Sequence, residues 1–98
     1  MLEEPMDLSE KATVVVSKDQ VSSDFGGEAA ILNLKNGMHY GLDSVGTRVW
    51  NLVHQPRTLA ELRDILAGEY DVDAPRLESD LRNLLSQLAD KELVEIAG

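Results

Sequence analysis

Hydrophobic and polar positions in the first half of the chain follow a strand pattern. Residues 13–17 (TVVVS) are β-branched almost throughout, which suits a pleated, partly buried strand. A turn-rich stretch at residues 22–27 is followed by an apolar run of strand length at residues 29–34. Asn36-Gly37 favours a hairpin because both residues tolerate positive φ, and residues 38–42 form the returning strand. The pattern predicts three strands, with the second and third paired.

After residue 42 the hydrophobic period changes from two to about 3.6, which indicates a helix. Asp43 or Ser44 can accept the free N–H groups at its start. The apolar stripe of this first helix consists of Val45, Val49, Leu52 and Val53. Trp50 is interpreted as a core or half-buried anchor, and the sequence at residues 55–57 (QPR) ends the helix.

Two more amphipathic helices are predicted in the second half. Thr58 and Glu61 have the spacing of a capping box, and the stripe that follows is Leu59, Leu62, Ile65 and Leu66. Asp73 is the predicted cap of a third helix over residues 74–91, where Pro75 is tolerated in the first turn. Its stripe has spacings of three and four and consists of Leu77, Leu81, Leu84, Leu85 and Leu88.

The order of these elements predicts the α+β fold class. Three strands forming a three-stranded antiparallel sheet, followed by three helices, are the inventory of a winged helix-turn-helix. Residues 93–96 can add a short terminal strand or wing. The expected division is an acidic N-terminal tail at residues 1–12 and one domain at residues 13–98.

Charge narrows the classes of partner. Eighteen acidic and nine basic residues give a net charge of -9, which repels phosphate backbones and anionic lipid surfaces. The third helix, where a winged helix would contact DNA, has no excess of basic residues over residues 74–92. A DNA-binding regulator is kept as an alternative, but a neutral or basic partner is favoured.

Residues with catalytic or ligand chemistry are few. The chain has no cysteine, and His39 and His54 have no second imidazole at a ligand-like spacing. The glycines form no nucleotide-binding fingerprint. We therefore expect no catalysis, no metal and no cofactor. Neither a secretory signal nor a membrane span is recognisable, so the expected location is the cytoplasm, without membrane association.

The third predicted strand is the candidate binding element. It contains no proline and no lysine, and His39 is its only weak safeguard against pairing with another chain. An open edge of this kind can accept a guest strand, and leucines of the third helix can line a groove beside it. An alternative is a regulatory subunit that docks on an enzyme without contacting substrate.

Residues 30–50 (AILNLKNGMHYGLDSVGTRVW) resemble the PqqD-like family, the peptide-recognition elements of ribosomally made, modified peptides. The most specific part is the hairpin that continues into a Gly-Leu-Asp-x-x-Gly-x-x-x-Trp helix. The resemblance implies a winged-helix domain that binds the leader region of a precursor peptide as an added antiparallel strand.

Within that family, the chain looks most like the leader-binding subunit of lasso-peptide biosynthesis. The resemblance implies as partners a separate, cysteine-protease-like leader peptidase and a cyclase; the alternative is delivery to a radical enzyme of quinone-cofactor biosynthesis. The peptide contacts it implies on the strand and the third helix are Met38, His39, Tyr40, Gly41, Leu42, Leu77, Asp80, Leu81 and Leu84.

Overall fold

The computed structural model describes residues 9–97, and the predicted α+β class with three helices is confirmed. In chain order the elements are β1 (Thr13–Val16), β2 (Gln20–Phe25), β3 (Glu28–Asn33), β4 (His39–Gly41), α1 (Ser44–Leu52), β5 (Arg57–Thr58), α2 (Leu59–Glu69), α3 (Ala74–Asp90) and β6 (Val94–Ala97). The strands form two antiparallel sheets with the orders β5-β1-β6 and β2-β3-β4.

The sheet that contains the predicted hairpin has a strand that sequence analysis missed. Most of residues 22–27, interpreted as a turn, belong to β2, which pairs with β3 along its whole length. The inward-facing Ser22 hydroxyl accepts a hydrogen bond from Trp50 Nε1 at 3.1 Å, while Val21 and Phe25 on the other face are 54% and 70% exposed. In an ordinary half-buried strand the apolar side chains face inward, whereas in β2 a polar side chain faces inward and apolar ones face solvent.

The first predicted strand belongs to the other sheet. β1 pairs with β6 over four residue pairs and with the short β5 over two. The expected terminal strand is therefore confirmed, as β6. This sheet joins the two ends of the described chain beside the helices.

The hairpin between β3 and β4 is confirmed, but its connection is longer than two residues. β3 ends at Asn33, whose carbonyl accepts the Gly37 N–H at 2.8 Å. Gly37 has φ +72°, whereas Asn36 does not have a positive φ. Only the glycine therefore needs the left-handed region.

The helix starts follow the sequence signals in two of three cases. Asp43 Oδ1 accepts the Gly46 N–H at 2.8 Å, and Thr58 and Glu61 form the reciprocal capping box with bonds of 2.8 and 3.1 Å. Asp73 occupies the N-cap position of α3, but its side chain makes no capping bond. Its carbonyl accepts the Leu77 N–H at 3.0 Å, which is the ordinary first bond of the helix.

The core lies between the helices and the two sheets. Trp50 is 1% exposed, which confirms it as an anchor, and its ring meets the His54 ring edge-on at 5.5 Å. The apolar stripes of the three helices supply most of the remaining buried side chains, among them Val49, Leu62, Leu66, Leu81 and Leu85. Val45 departs from the predicted stripe, because it is 41% exposed.

Part of the predicted N-terminal tail contacts the domain. Residues 1–8 lie outside the described residues, but Ala12 is buried and its carbonyl accepts the Leu59 N–H at 3.1 Å. Glu10 forms an ion pair with Arg63 of α2, which also binds Glu78 of α3 at 3.0 Å. Residues 10–12 are thus attached to the start of α2. Over residues 9–97, the helices are too short or too polar to cross a membrane.

Candidate functional site

Strand β4 is the outer strand of its sheet, and the register shows which of its polar groups are free. The Asn33 N–H donates to the Met38 carbonyl at 2.9 Å, and the Leu42 N–H donates to the Ala29 carbonyl at 2.9 Å. Hydrogen-bonded pairs alternate along an antiparallel ladder, so Tyr40, which lies opposite Ile31, also points its N–H and C=O groups at β3. The N–H and C=O groups of His39 and Gly41 point away from the sheet. The open edge thus offers two donors and two acceptors.

The side chains of β4 divide between the two faces of the sheet. Tyr40 lies opposite the fully buried Ile31 and is itself half-buried against the core, whereas His39 and Gly41 are exposed. A guest residue directly opposite Tyr40 would project its side chain to the same face, towards α3. The face that Tyr40 shares with α3 is therefore the one on which such a side chain would lie.

Between β4 and α3 lies a cavity of about 120 Å³, here called the edge cavity. It is lined by Tyr40, Gly41, Leu42, Leu84, Gln87, Leu88 and Lys91. The strand supplies one wall and the last two turns of α3 supply the other. The edge cavity therefore lies beside the open edge of β4.

A second cavity of about 180 Å³, here called the helix cavity, continues the groove from Leu84 towards the start of α3. Its lining is almost entirely apolar and consists of Val45, Val49, Leu66, Tyr70, Val72, Leu77, Asp80, Leu81 and Leu84. Val45 and Val72 are 41% and 47% exposed. An apolar side chain of a guest would gain burial here.

Two buried polar residues fix β3 and β4 against the helices. Asn33 is 1% exposed, and its Nδ2 donates to the Lys91 carbonyl at 2.9 Å. Thr47 of α1 is 3% exposed; its hydroxyl accepts the Ala29 N–H at 2.7 Å and donates to the Leu42 carbonyl at 3.4 Å. Because both ends of the strand pair are attached, the distance between β4 and α3 is set by the fold.

The structure brings most of the sequence-predicted site residues to this groove. Tyr40, Gly41, Leu42 and Leu84 line the edge cavity, and Leu77, Asp80, Leu81 and Leu84 line the helix cavity. Met38 and His39 line neither and are exposed. Leu77 and Leu81 are 7% and 3% exposed, so they contribute mainly to the core.

Several lining residues were not predicted from the sequence. Gln87 and Lys91 follow Leu84 at spacings of three and seven, so they lie on the same face of α3. That helical spacing is the signal that would have identified them. Val72 and Tyr70 have no comparable signal, because they lie at the junction between α2 and α3.

Charged groups are placed at both ends of the groove. Asp80 lies at the helix cavity and Lys91 at the edge cavity, where its Nζ is 5.7 Å from the centre of the Tyr40 ring.

On α1, Arg48 binds Glu69 at the end of α2 with a shortest distance of 2.6 Å. This hydrogen-bonded pair lowers the pKa of Glu69 and raises the pKa of Arg48. Among residues 9–97, no group of three or more His, Asp or Glu side chains is arranged to hold a metal.

Comparison with known proteins identifies the family. The model of the family described as "Coenzyme PQQ synthesis protein D (PqqD)" matches residues 28–94, which include the hairpin, all three helices and both cavities. The chain belongs to the PqqD family. No sequence among the curated proteins matches it significantly.

Solved structures similar to this PqqD-family domain include two described as complexes with a leader peptide. "TbiB1 in Complex with the TbiA(beta) Leader Peptide" is 41% identical, with a TM-score of 0.79 over 83% of this chain and 94% of that chain. "Lasso peptide synthetase B1 complexed with the leader peptide" is 15% identical, with a TM-score of 0.75 over 84% and 96%.

A third structure is the PqqD truncation of Methylobacterium extorquens PqqCD, described as a stand-alone recognition element for ribosomally synthesized and modified peptides. It is 23% identical, with a TM-score of 0.76 over 95% of this chain and 99% of that chain. At this identity and that of the lasso synthetase, the likeness shows the fold of the PqqD-family domain, which is shared over nearly its whole length.

Proposed function

We propose that this domain is a non-catalytic module that captures the leader region of a ribosomally made precursor peptide as an added strand on β4. It then presents the precursor to a separate leader peptidase or another maturation enzyme of a lasso-peptide system. The observation that carries the proposal is the open edge of β4 beside an apolar groove. The TbiB1 complex, 41% identical, supports a leader peptide as the guest.

The binding free energy available from the β4 edge alone is too small for a micromolar complex, so the groove must contribute. Four main-chain hydrogen bonds at His39 and Gly41 contribute about 2 to 6 kcal/mol at about 0.5 to 1.5 kcal/mol each. A micromolar complex requires roughly 8 kcal/mol. Burial of apolar surface in the two cavities adds about 0.025 kcal/mol per Å², and the total gain must also offset the cost of ordering and holding the guest. Backbone pairing thus gives the orientation, and the cavities give the remaining affinity.

Presentation to an enzyme follows from this mode of binding. The guest is held where it crosses β4 and the two cavities, so the segments on either side stay free to enter an active site. Holding them near a bound enzyme raises their effective concentration without any catalytic group in the domain. Delivery to a radical enzyme of quinone-cofactor biosynthesis is the second candidate, and the family description agrees with its quinone cofactor. The chain is 41% identical to the leader-bound TbiB1 and 23% identical to the PqqD truncation, so leader capture is the part of the proposal that the comparisons support best.

The direct test is titration of the purified domain with the TbiA(beta) leader peptide, followed by fluorescence anisotropy. We expect saturable binding in the micromolar range and competition between labelled and unlabelled peptide. A duplex DNA of random sequence serves as the comparison, and we expect no binding to it at physiological salt. Absence of peptide binding up to high micromolar concentration would contradict the proposal, and salt-sensitive DNA binding would favour the regulator instead.

A further inference from the structure

The ammonium group of Lys91 occupies an unusual place for this acidic chain. It is half-buried at the end of α3, lines the edge cavity and lies over the Tyr40 ring. No carboxylate of residues 9–97 lies within 4.0 Å of its Nζ. The chain has twice as many acidic as basic residues, yet this ammonium group has no partner among the carboxylates that the structure describes. It is therefore available to bind an anion.

The neighbouring charges do not supply that anion. Glu92, the next residue, is 3.4 Å from Lys35 Nζ, and Lys35 also pairs with Asp19 at 3.7 Å. These groups lie beside the hairpin connection and satisfy one another. The Lys91 side chain instead lines the edge cavity, with its Nζ 5.7 Å from the centre of the Tyr40 ring.

The register defines which guest residue Lys91 meets. His39 and Gly41 provide the outward hydrogen bonds, so Tyr40 lies between them at a position without hydrogen bonds to the guest. In an antiparallel pair of this kind the two Cα atoms are only about 4.5 Å apart, and the side chains are correspondingly close. The guest side chain opposite Tyr40 projects towards α3 and reaches the space beside the ammonium group.

Together these observations assign Lys91 a role that rests on the proposed function. We propose that Lys91 determines specificity by selecting a carboxylate side chain, Asp or Glu, at the guest position opposite Tyr40. The opposite end of the groove differs, because the lining of the helix cavity there is almost entirely apolar, with Asp80 as its charged member. An acidic residue at the Lys91 end and an apolar residue at the helix cavity thus define the guest segment that this groove accepts.

The experiment is a charge scan that measures the coupling between two side chains. Each position of the TbiA(beta) leader peptide is replaced in turn by Glu, Gln and Lys, and the Kd of every peptide is measured with four proteins. These are the wild type, Lys91→Met, Lys91→Glu and Lys11→Glu. Lys91→Met removes the charge but keeps the chain length over Tyr40. Lys11→Glu makes the same change in net charge as Lys91→Glu, at an exposed residue that lines neither cavity.

We expect one position at which the wild type binds the Glu peptide about tenfold more tightly than the Lys peptide. Lys91→Glu should reverse this preference, Lys91→Met should abolish it and Lys11→Glu should leave it in place. Thermal unfolding of each variant shows that it is folded, and Lys91→Met alone suffices if the Glu variant is unstable.

Two results would overturn the inference. One is the absence of any position whose charge preference depends on residue 91; the other is an equal effect of Lys11→Glu, which would indicate only long-range repulsion. In both cases the parent peptide still binds the wild type, so the proposed function stands. Failure of the parent peptide to bind is a separate result and contradicts the proposed function itself.

Discussion

The side-chain amide of Asn33 donates a hydrogen bond to the carbonyl of Lys91 at 2.9 Å, across 58 positions of sequence. Asn33 Oδ1 also accepts the Lys35 N–H at 2.8 Å, so one buried residue fixes the hairpin connection and attaches it to the end of α3. This amide therefore links the hairpin connection directly to the wall of the groove that Lys91 forms.

Replacing Asn33 with Ala is therefore expected to weaken both stability and binding. The Lys91 carbonyl and the Lys35 N–H lose their partner, and the free energy of unfolding should fall by about 1 to 3 kcal/mol. Urea unfolding measures this change. Asn51→Ala, at an exposed position of α1, is the matched control and should alter stability by less than about 0.5 kcal/mol. Similar losses in the two variants would show that the Asn33 bonds do not matter.

Hydrogen exchange should reveal the alternation of β4 directly. The amides of His39 and Gly41 point outward and should exchange quickly in the free domain, whereas those of Tyr40 and Leu42 are protected by β3. Addition of the leader peptide should protect His39 and Gly41, because the guest strand then accepts their hydrogen bonds. Protection that instead appears at Ser22 and Asp24, the outward amides of β2, would place the guest on the other edge of the sheet.

Proline substitutions at neighbouring positions should have opposite effects. His39→Pro removes an outward N–H and should weaken peptide binding about tenfold or more, with a modest loss of stability. Tyr40→Pro removes a bond to Ile31 inside the sheet and should lower the free energy of unfolding by about 1 to 3 kcal/mol. Calorimetric titration and thermal unfolding of both variants distinguish the effects. Equal behaviour at the two positions would exclude pairing along β4.

Two adjacent leucines of α3 should separate binding from stability. Leu84 is half-buried and borders both cavities, so Leu84→Ala should weaken leader binding about five- to tenfold by removing apolar contact. Leu85 is fully buried away from the groove, and Leu85→Ala should lower the free energy of unfolding by about 2 to 5 kcal/mol. If Leu84→Ala bound peptide normally, the cavities would not be the source of affinity.

Stability should decrease in acid through two ion pairs. Hydrogen bonds from Arg63 and Arg48 lower the pKa values of Glu10 and Glu69 below 4.5. A depressed pKa in the folded state stabilises the protein above the unfolded value, and this contribution is lost as the pH falls through the folded pKa. The melting temperature should fall below about pH 4.5, and Glu10→Gln with Glu69→Gln should flatten that fall. An unchanged profile in the double variant would assign acid sensitivity to other carboxylates.

Sequence signals located the elements with local causes. The Thr58 and Glu61 spacing and the Asp43 cap each depend on residues a few positions apart, so the sequence was sufficient. For the hairpin, the sequence located the positive φ of Gly37 but not the length of the connection. β2 was missed because its polar side faces inward, where Ser22 satisfies the Trp50 indole, a contact between residues 28 positions apart. Its adjoining Gly26-Gly27, both with positive φ, strengthened the turn interpretation.

The groove was predictable in part. An unguarded strand and a leucine-rich helix indicated its two walls, but which β4 groups point outward depends on the register with β3, which the longer hairpin connection sets. The helical spacing from Leu84 could have placed Lys91 at the groove, but its position over the Tyr40 ring is a tertiary contact that the sequence does not show. The peptide contacts themselves are predictions, which peptide titration of the variants and hydrogen exchange would test.

The backbone groups of β4 that point away from the sheet are those of His39 and Gly41. The start of α1 limits the length of this strand at one end, and the hairpin connection limits it at the other. Under the proposed function, a guest strand paired only at these two residues fixes a short part of the precursor peptide. The remainder of the precursor could then vary in sequence without any change in the surface that binds it.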